Sequence, residues 1–202
     1  VPYTPGRTEA QRWRHVWDYS GGKFSDWGMH QLDTVQLALD RERGGPIKVE
    51  GRGTVNEGSV YATFIDYEVT YTYADGVKVR VSSGGTGLMF HGTEGRIGNK
   101  EWRGPVEASP AEILNGRPGD AALPFNERGE HYDFLACVRS RKDPYFPVES
   151  GHRCASLLHI GNICMRLGRA LAWDPVKEEF PGDAEANAMR ARPMRAPWSL
   201  DA

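Results

Sequence analysis

The sequence is most informative over residues 21–33, which read Gly21-Gly22-Lys23-Phe24-Ser25-Asp26-Trp27-Gly28-Met29-His30-Gln31-Leu32-Asp33. Further along, apolar residues recur at helical spacing: Leu32, Val35, Ala38 and Leu39. Ser25 and Asp26 are residue types that cap helices, and Gly44-Gly45-Pro46 supplies a stop. The pattern therefore predicts a helix that begins near Ser25 and ends before Gly44.

Asp26 and His30 give this helix its chemical character. They are four positions apart, so in a helix their Cβ atoms lie roughly 5–6 Å apart. A carboxylate and an imidazole at that distance can together bind a hydroxyl group and remove its proton. The residues alone also allow a structural alternative, in which Asp26 caps the helix and His30 makes a hydrogen bond inside the core.

Residues 21–33 resemble the Gly-Gly-x-x-x-Asp-x-Gly-x-His-x-x-Asp signature of the substrate domain in the Gfo/Idh/MocA oxidoreductases, and each position of the signature matches. The resemblance continues over nearly the whole chain, in a bacterial subgroup of that family. It is carried by the segments 13–14, 17–19, 92–95, 131–142, 161–162, 167–169, 173–175, 182–187 and 196–198.

The resemblance implies that residues 1–202 form the C-terminal, substrate-binding domain of such an enzyme. In the family a separate N-terminal Rossmann domain binds NAD or NADP and supplies a lysine from a Glu-Lys-Pro motif. This sequence contains no Glu-Lys-Pro, and its nearest approach to a dinucleotide fingerprint is Gly85-Thr86-Gly87, with Phe90 at the third glycine position. The chain also opens at Val1 as if inside the second domain. We therefore expect a fragment that lacks the cofactor-binding half and is inactive alone.

The same resemblance implies roles for individual residues in an enzyme that oxidises or reduces a sugar, a polyol or a related cyclic alcohol. His30 takes the hydroxyl proton and Asp26 orients the substrate. Four further residues are candidates for contact with the substrate: Lys23, Tyr19, Trp13 and His131. Each has a simpler interpretation, since Lys23 and His131 could be solvated surface residues, while Trp13 and Tyr19 could anchor the core.

Two other functions fit the same sequence. Relatives on this scaffold cleave glycosides by transient NAD-dependent oxidation of the sugar, and release of aglycone without net cofactor reduction would identify that reaction. A non-catalytic carbohydrate-binding or assembly module would use Asp26 and His30 only to hold ligand or structure. Unchanged turnover after replacement of His30 by Ala, in an enzyme with both halves, would favour the module.

The rest of the chain predicts an α+β fold. Residues 46–90 have the composition of strands with a turn at Asp75-Gly76, and residues 77–81 alternate apolar with basic side chains. Residues 108–126 predict a long surface excursion, and helices are expected near 128–141, 149–167 and 184–190. We expect a mostly antiparallel open sheet with helices on one face. By resemblance, the other face serves a homo-oligomer.

Composition narrows the possible partners. The 202 residues carry a net charge of -2 and no apolar run near the roughly 20 residues that cross a bilayer, so neither nucleic acid nor a membrane is expected. Cys137, Cys154 and Cys164 lack Cys-x-x-Cys spacing, and His30 with Asp26 or Asp33 lacks further ligands, so no metal site is predicted. The chain is expected to be cytoplasmic, with free thiols.

Overall fold

The structure is a computed structural model, which describes residues 5–6, 12–116 and 128–199. The chain divides into two compact units. The first comprises Val1–Ser83 and Arg153–Ala202, and the second comprises Gly84–His152.

Helices and antiparallel strands make up both units. The helices are α1 (Gly22–Ala38), α2 (Glu130–Ser140), α3 (Val148–Leu167) and α4 (Ala184–Ala188), with 3-10 turns at Arg12–His15 and Ala111–Asn115. The strands are β1 (Lys48–Val55), β2 (Phe64–Thr72), β3 (Lys78–Ser82), β4 (Leu88–His91), β5 (Arg96–Asn99), β6 (Glu107–Ser109) and β7 (Leu171–Ala172).

The first unit is built on a four-stranded antiparallel sheet in the order β3-β2-β1-β7. Tyr71 lies opposite Val49 on one side and Val79 on the other, and all three side chains are buried on the same face. Helix α3 packs on that face, where the Tyr71 hydroxyl donates a hydrogen bond to the Leu157 carbonyl at 2.6 Å. Phe24 of α1 meets Tyr67 edge to face at 5.0 Å. The predicted α+β fold, with helices covering one sheet face, is confirmed.

The opposite face of this sheet carries charge instead of apolar side chains. Glu68 lies between Arg52 and Arg80, at 3.2 Å and 3.3 Å, and Lys48 pairs with Glu50. The period of two along a strand places these residues outward while their neighbours face the helices. The predicted alternation over residues 77–81 has this cause, with Val79 buried and Arg80 exposed.

The second unit has its own three-stranded antiparallel sheet in the order β4-β5-β6. The strand-rich stretch predicted over residues 46–90 is therefore shared between two sheets. Helix α2 forms where a helix was predicted, but it buries none of its residues. The apolar residues that recur at helical spacing along it, Tyr132, Leu135 and Val138, are 40%, 55% and 47% exposed, so this helix does not join the helices on the sheet face as expected. The cover of the four-stranded sheet comes from α1 and α3.

Element boundaries follow the predictions closely apart from α1. Helix α3 agrees with the predicted 149–167, and α4 is shorter than the predicted 184–190. The surface excursion predicted over 108–126 contains the end of β6 and a 3-10 turn, and its residues 117–126 lie outside the described part of the chain. Among the described residues, no helix has both the length and the apolar character needed to span a bilayer.

Candidate functional site

Helix α1 begins at Gly22, earlier than the predicted start at Ser25. Gly22 has a φ of +73°, and a Cβ there would overlap the Thr63 side chain. A Cβ on Gly21 would lie 2.9 Å from Asn162 Nδ2. The two glycines are thus required by the close approach of the start of α1 to Thr63 and to α3.

The two predicted capping residues have other partners. Ser25 Oγ accepts a hydrogen bond from Asn162 Nδ2 at 2.9 Å, which ties α1 to α3. Asp26 forms an ion pair with Arg14, and the residue at the N-cap position is Gly21, which makes no side-chain cap hydrogen bond. The helix therefore starts where the glycines permit the backbone to turn.

One face of α1 is fixed against α3 and the opposite face is left accessible. A Cβ on Gly28 would lie 2.8 Å from Leu158 Cδ2, so the absence of a side chain there lets the two helices approach. Lys23 and His30 are exposed and Trp27 is 39% exposed. The helical period thus brings Lys23, Asp26 and His30 onto one accessible surface.

Asp26 is held from outside its own helix. Arg14 Nε lies 3.2 Å from Asp26 Oδ1, and the two side chains are 27% and 35% exposed. The Arg14 guanidinium also lies 5.3 Å from the centre of the Trp13 ring. This ion pair brings the 3-10 turn Arg12–His15 beside the acidic residue of the predicted site.

His30 lies between an aromatic ring and a carboxylate. The Trp27 and His30 ring centroids are 6.0 Å apart, with an interplanar angle of 63°. One turn further on, burial raises the pKa of the Asp33 carboxyl, and the charge of His30 opposes that shift. Burial and the Asp33 charge raise the pKa of the Cys154 thiol to about 12. Cys154 is therefore a protonated, unreactive thiol at neutral pH.

Residues 1–200 match the family model for the C-terminal alpha/beta domain of the Gfo/Idh/MocA oxidoreductases. The chain belongs to the Gfo/Idh/MocA oxidoreductase family. No curated protein sequence matches it significantly.

Solved structures share the fold of this Gfo/Idh/MocA domain. An NAD-binding protein from Listeria innocua is 18% identical with a TM-score of 0.57, and the match covers 79% of this chain and 50% of that one. The WlbA dehydrogenase from Bordetella pertussis, in complex with NADH and UDP-GlcNAcA, is 14% identical with a TM-score of 0.56, over 82% and 50%. A putative myo-inositol dehydrogenase from Sinorhizobium meliloti gives 16% and 0.51, over 76% and 50%. The matched region spans about half the length of each.

The remaining sequence-predicted residues of this Gfo/Idh/MocA domain are accessible. Trp13 and Tyr19 are 41% and 47% exposed, so neither anchors the core. Trp17 is the aromatic residue of this segment that packs against α3, with the Arg166 guanidinium 4.2 Å from its ring centre. His131 is exposed on α2 in the second unit. The structural alternative for the helix pair also fails, since Asp26 is not the cap and His30 is not in the core.

Sequence reasoning assigned no role to three neighbours of the Gfo/Idh/MocA signature pair. Trp27 and Asp33 are each three positions from His30, and helical spacing alone could have identified them. Arg14 lies in the segment 13–14 that carries the family resemblance, but no local pattern indicates its contact with Asp26, because that contact depends on how the chain folds back over the start of α1. Within the described residues, no group of three or more His, Cys, Asp or Glu side chains is placed to hold a metal ion.

Proposed function

We propose that this chain is the substrate-binding half of an NAD(P)-dependent oxidoreductase that acts on a sugar, a polyol or a related cyclic alcohol. The observation that carries the proposal is the accessible face of α1, where Asp26 and His30 stand one turn apart and Arg14 holds the carboxylate. The oxidoreductase family supports the reaction class. Dehydrogenases among the solved structures, one of them with a bound sugar nucleotide, support the substrate class.

A dinucleotide does not fit the described elements of this chain. Rossmann-type binding needs a glycine-rich turn between a parallel strand and a helix. Both sheets within the described residues are antiparallel throughout. Under the proposal, a second half of the enzyme holds NAD or NADP. The match to this chain covers only half the length of each structural neighbour, which supports such a second half. The bound nicotinamide would supply the hydride chemistry.

This chain would contribute the handling of the substrate hydroxyl. Asp26 Oδ1 is engaged by Arg14, which fixes the carboxylate so that its other oxygen can accept a hydrogen bond from the substrate. The exposed imidazole of His30 would accept the hydroxyl proton as general base. Lys23, Trp13 and Tyr19 would contact the sugar from its periphery, since all three are exposed.

The test uses an enzyme that has both halves, assayed for NADH or NADPH formation against a panel of sugars and polyols. His30→Ala should lower kcat by about 10²–10⁴-fold, the usual contribution of a general base. His91→Ala is the matched control, because His91 is exposed at the end of β4 and has no proposed role. Turnover by His30→Ala within about twofold of the unmodified enzyme would contradict the assignment.

We also propose that the charged outward face of the four-stranded sheet associates with a second copy of the chain. Arg52, Glu68 and Arg80 alternate in sign across three strands, so two copies can pair opposite charges through the same surface. Glu68→Arg would leave three cations in one row and should weaken this association. The molar mass measured by light scattering should then be lower than that of the unmodified protein. Glu57→Arg, in the exposed turn between β1 and β2, is the control. Equal masses for both variants and the unmodified protein would count against this interface.

A further inference from the structure

The C-terminal segment returns to the loop that precedes α1 through a single side chain. Arg192 Nη2 donates to the Trp17 carbonyl at 2.5 Å, and Arg192 Nη1 donates to the Asp18 carbonyl at 2.8 Å. Arg192 Nη1 also lies 3.5 Å from Asp18 Oδ1. A guanidinium presents its N–H donors in a rigid planar fork, so it can bind two successive carbonyls.

The same loop is also held by α3. The Arg166 guanidinium lies 4.2 Å from the centre of the Trp17 ring, and Arg192 lies 5.9 Å from the same ring. Arg166 also lies 5.0 Å from the Phe64 ring and donates to the Ala62 carbonyl. Cations near the face of an indole ring attract it electrostatically. Trp17 is therefore bound by one arginine from the helix and one from the tail.

Arg192 belongs to a segment that is itself anchored. Asn187 accepts a hydrogen bond from the Phe180 amide at 2.9 Å and donates to the Phe180 carbonyl at 2.7 Å. Asp183 caps α4 by accepting from the Ala186 amide at 3.1 Å, and Arg169 Nη2 donates to Asp183 Oδ1 at 2.9 Å. The contact between Arg192 and the loop thus joins two ordered parts of the first unit.

The held loop leads directly into the candidate site. Its turn is closed by two backbone hydrogen bonds to the Val16 carbonyl, from Tyr19 at 2.9 Å and from Ser20 at 3.0 Å. Gly21 and Gly22 follow at once and begin α1. Any movement of the Trp17 and Asp18 carbonyls would therefore displace Tyr19.

We propose that Arg192 is a positioning residue, through which the C-terminal tail fixes the turn 16–20 and so the placement of Tyr19 beside the start of α1. The contact spans 174 positions of sequence. Its consequence for substrate binding rests on the proposed function, whereas its effect on the turn does not.

Amide hydrogen exchange of the full chain, followed by NMR, tests the effect on the turn. Arg192→Ala should accelerate exchange of the Tyr19 and Ser20 amides at least tenfold. Arg195→Ala is the matched control, because it removes the same charge from the same tail and no described contact of the Arg195 side chain is lost. Exchange within the α3 interior, residues 160–164, should be unchanged in both variants, which shows that the fold is intact.

Four results would overturn the proposal. The first is protection of Tyr19 and Ser20 in Arg192→Ala equal to that in the unmodified chain. The second is an equal loss in Arg195→Ala. The third is unprotected exchange of both amides in the unmodified chain. Arg192→Lys keeps the charge without the fork and should restore protection only in part, so full restoration would also contradict the assignment.

Steady-state kinetics of the enzyme with both halves, called the two-half enzyme below, separate this inference from the proposed function. Arg192→Ala should raise KM several-fold with kcat little changed, the signature of lost uniform binding. Faster exchange at Tyr19 together with an unchanged KM would leave the positioning of the turn intact, and it would remove Tyr19 from the substrate contacts.

Discussion

Asp26 illustrates how a residue that the sequence identifies can depend on one that it does not. The helical spacing of Asp26 and His30 was readable from the chain, because both lie on one helix and the period of α1 places them on one face. Arg14 is not on that helix. Its ion pair with Asp26 depends on the path of the chain between the 3-10 turn and Gly21, which local patterns do not specify.

We predict that Arg14→Ala lowers kcat/KM of the two-half enzyme about tenfold, because Asp26 loses the partner that fixes its carboxylate. Steady-state kinetics measure the effect, with the sugar or polyol that the panel assay identifies as a substrate. Arg14→Lys retains an ion pair of poorer geometry and should recover part of the loss. Arg43→Ala is the control, since Arg43 is exposed outside the site. Equal kcat/KM in Arg14→Ala and Arg43→Ala would contradict the role.

A second prediction at the residue scale concerns alkaline pH. Burial raises the pKa of Tyr73 from 10.0 to about 12, and burial also raises the pKa of Tyr71 well above its usual value. The folded state thus favours the neutral phenols, so this contribution to stability is fully present below pH 10 and is lost as pH rises towards 12. Tyr73 alone accounts for about 2–3 kcal/mol of the free energy of unfolding over that interval.

Urea unfolding at pH 8, 10 and 11 measures this loss, with tyrosinate absorbance as a second signal. Tyr73→Phe should have a shallower decline in the free energy of unfolding above pH 10, because one of the linked phenols is gone. A decline as steep as that of the unmodified chain would contradict the assignment of this linkage to Tyr73.

At the scale of elements, glycines explain why α1 lies where it does. The sequence predicted the helix from its apolar period but placed its start at Ser25, because the residue types there are good caps. The actual start is set by the close approach of Gly21 and Gly22 to Asn162 and Thr63. Such contacts involve residues far along the chain, and no local pattern reveals them.

We predict opposite effects for two helical Gly→Ala substitutions. Gly28→Ala puts a Cβ 2.8 Å from Leu158 Cδ2 and should destabilise the fold by about 1–2 kcal/mol. Gly151→Ala in α3 meets no described atom within 4 Å and should stabilise the fold by about 0.5–1 kcal/mol, since Ala loses less backbone entropy than Gly. Urea unfolding curves measure both changes. A stabilising Gly28→Ala would show that α1 and α3 are not closely packed there.

Helix α2 shows the limit of periodicity as evidence. Its apolar spacing correctly predicted a helix, yet Tyr132, Leu135 and Val138 remain accessible. An apolar stripe indicates that a helix can bury one face, and it does not say against what. The strands were easier to predict, because alternation such as that of Val79 and Arg80 directly reflects one buried and one outward sheet face.

At the scale of the whole molecule, we propose that the catalytic work is divided between this chain and a second half of the enzyme that binds the dinucleotide. The described residues offer a partly exposed carboxylate, Asp26, and an exposed imidazole, His30, on α1. Their sheets are antiparallel and lack the parallel crossover that Rossmann-type dinucleotide binding requires. This division stays a prediction, which rests on the signature in residues 21–33 and on the absent glycine fingerprint. Local sequence patterns did not predict that the strands form two separate sheets, because pairing between distant strands leaves no local signal.

The most direct test of this division is a titration of the isolated chain with NADH, followed by energy transfer from its six tryptophans to the dinucleotide. We expect no saturable binding up to millimolar NADH, and no turnover of any sugar by the chain alone. Saturable binding at micromolar NADH would contradict it, because the dinucleotide site would then lie within these 202 residues.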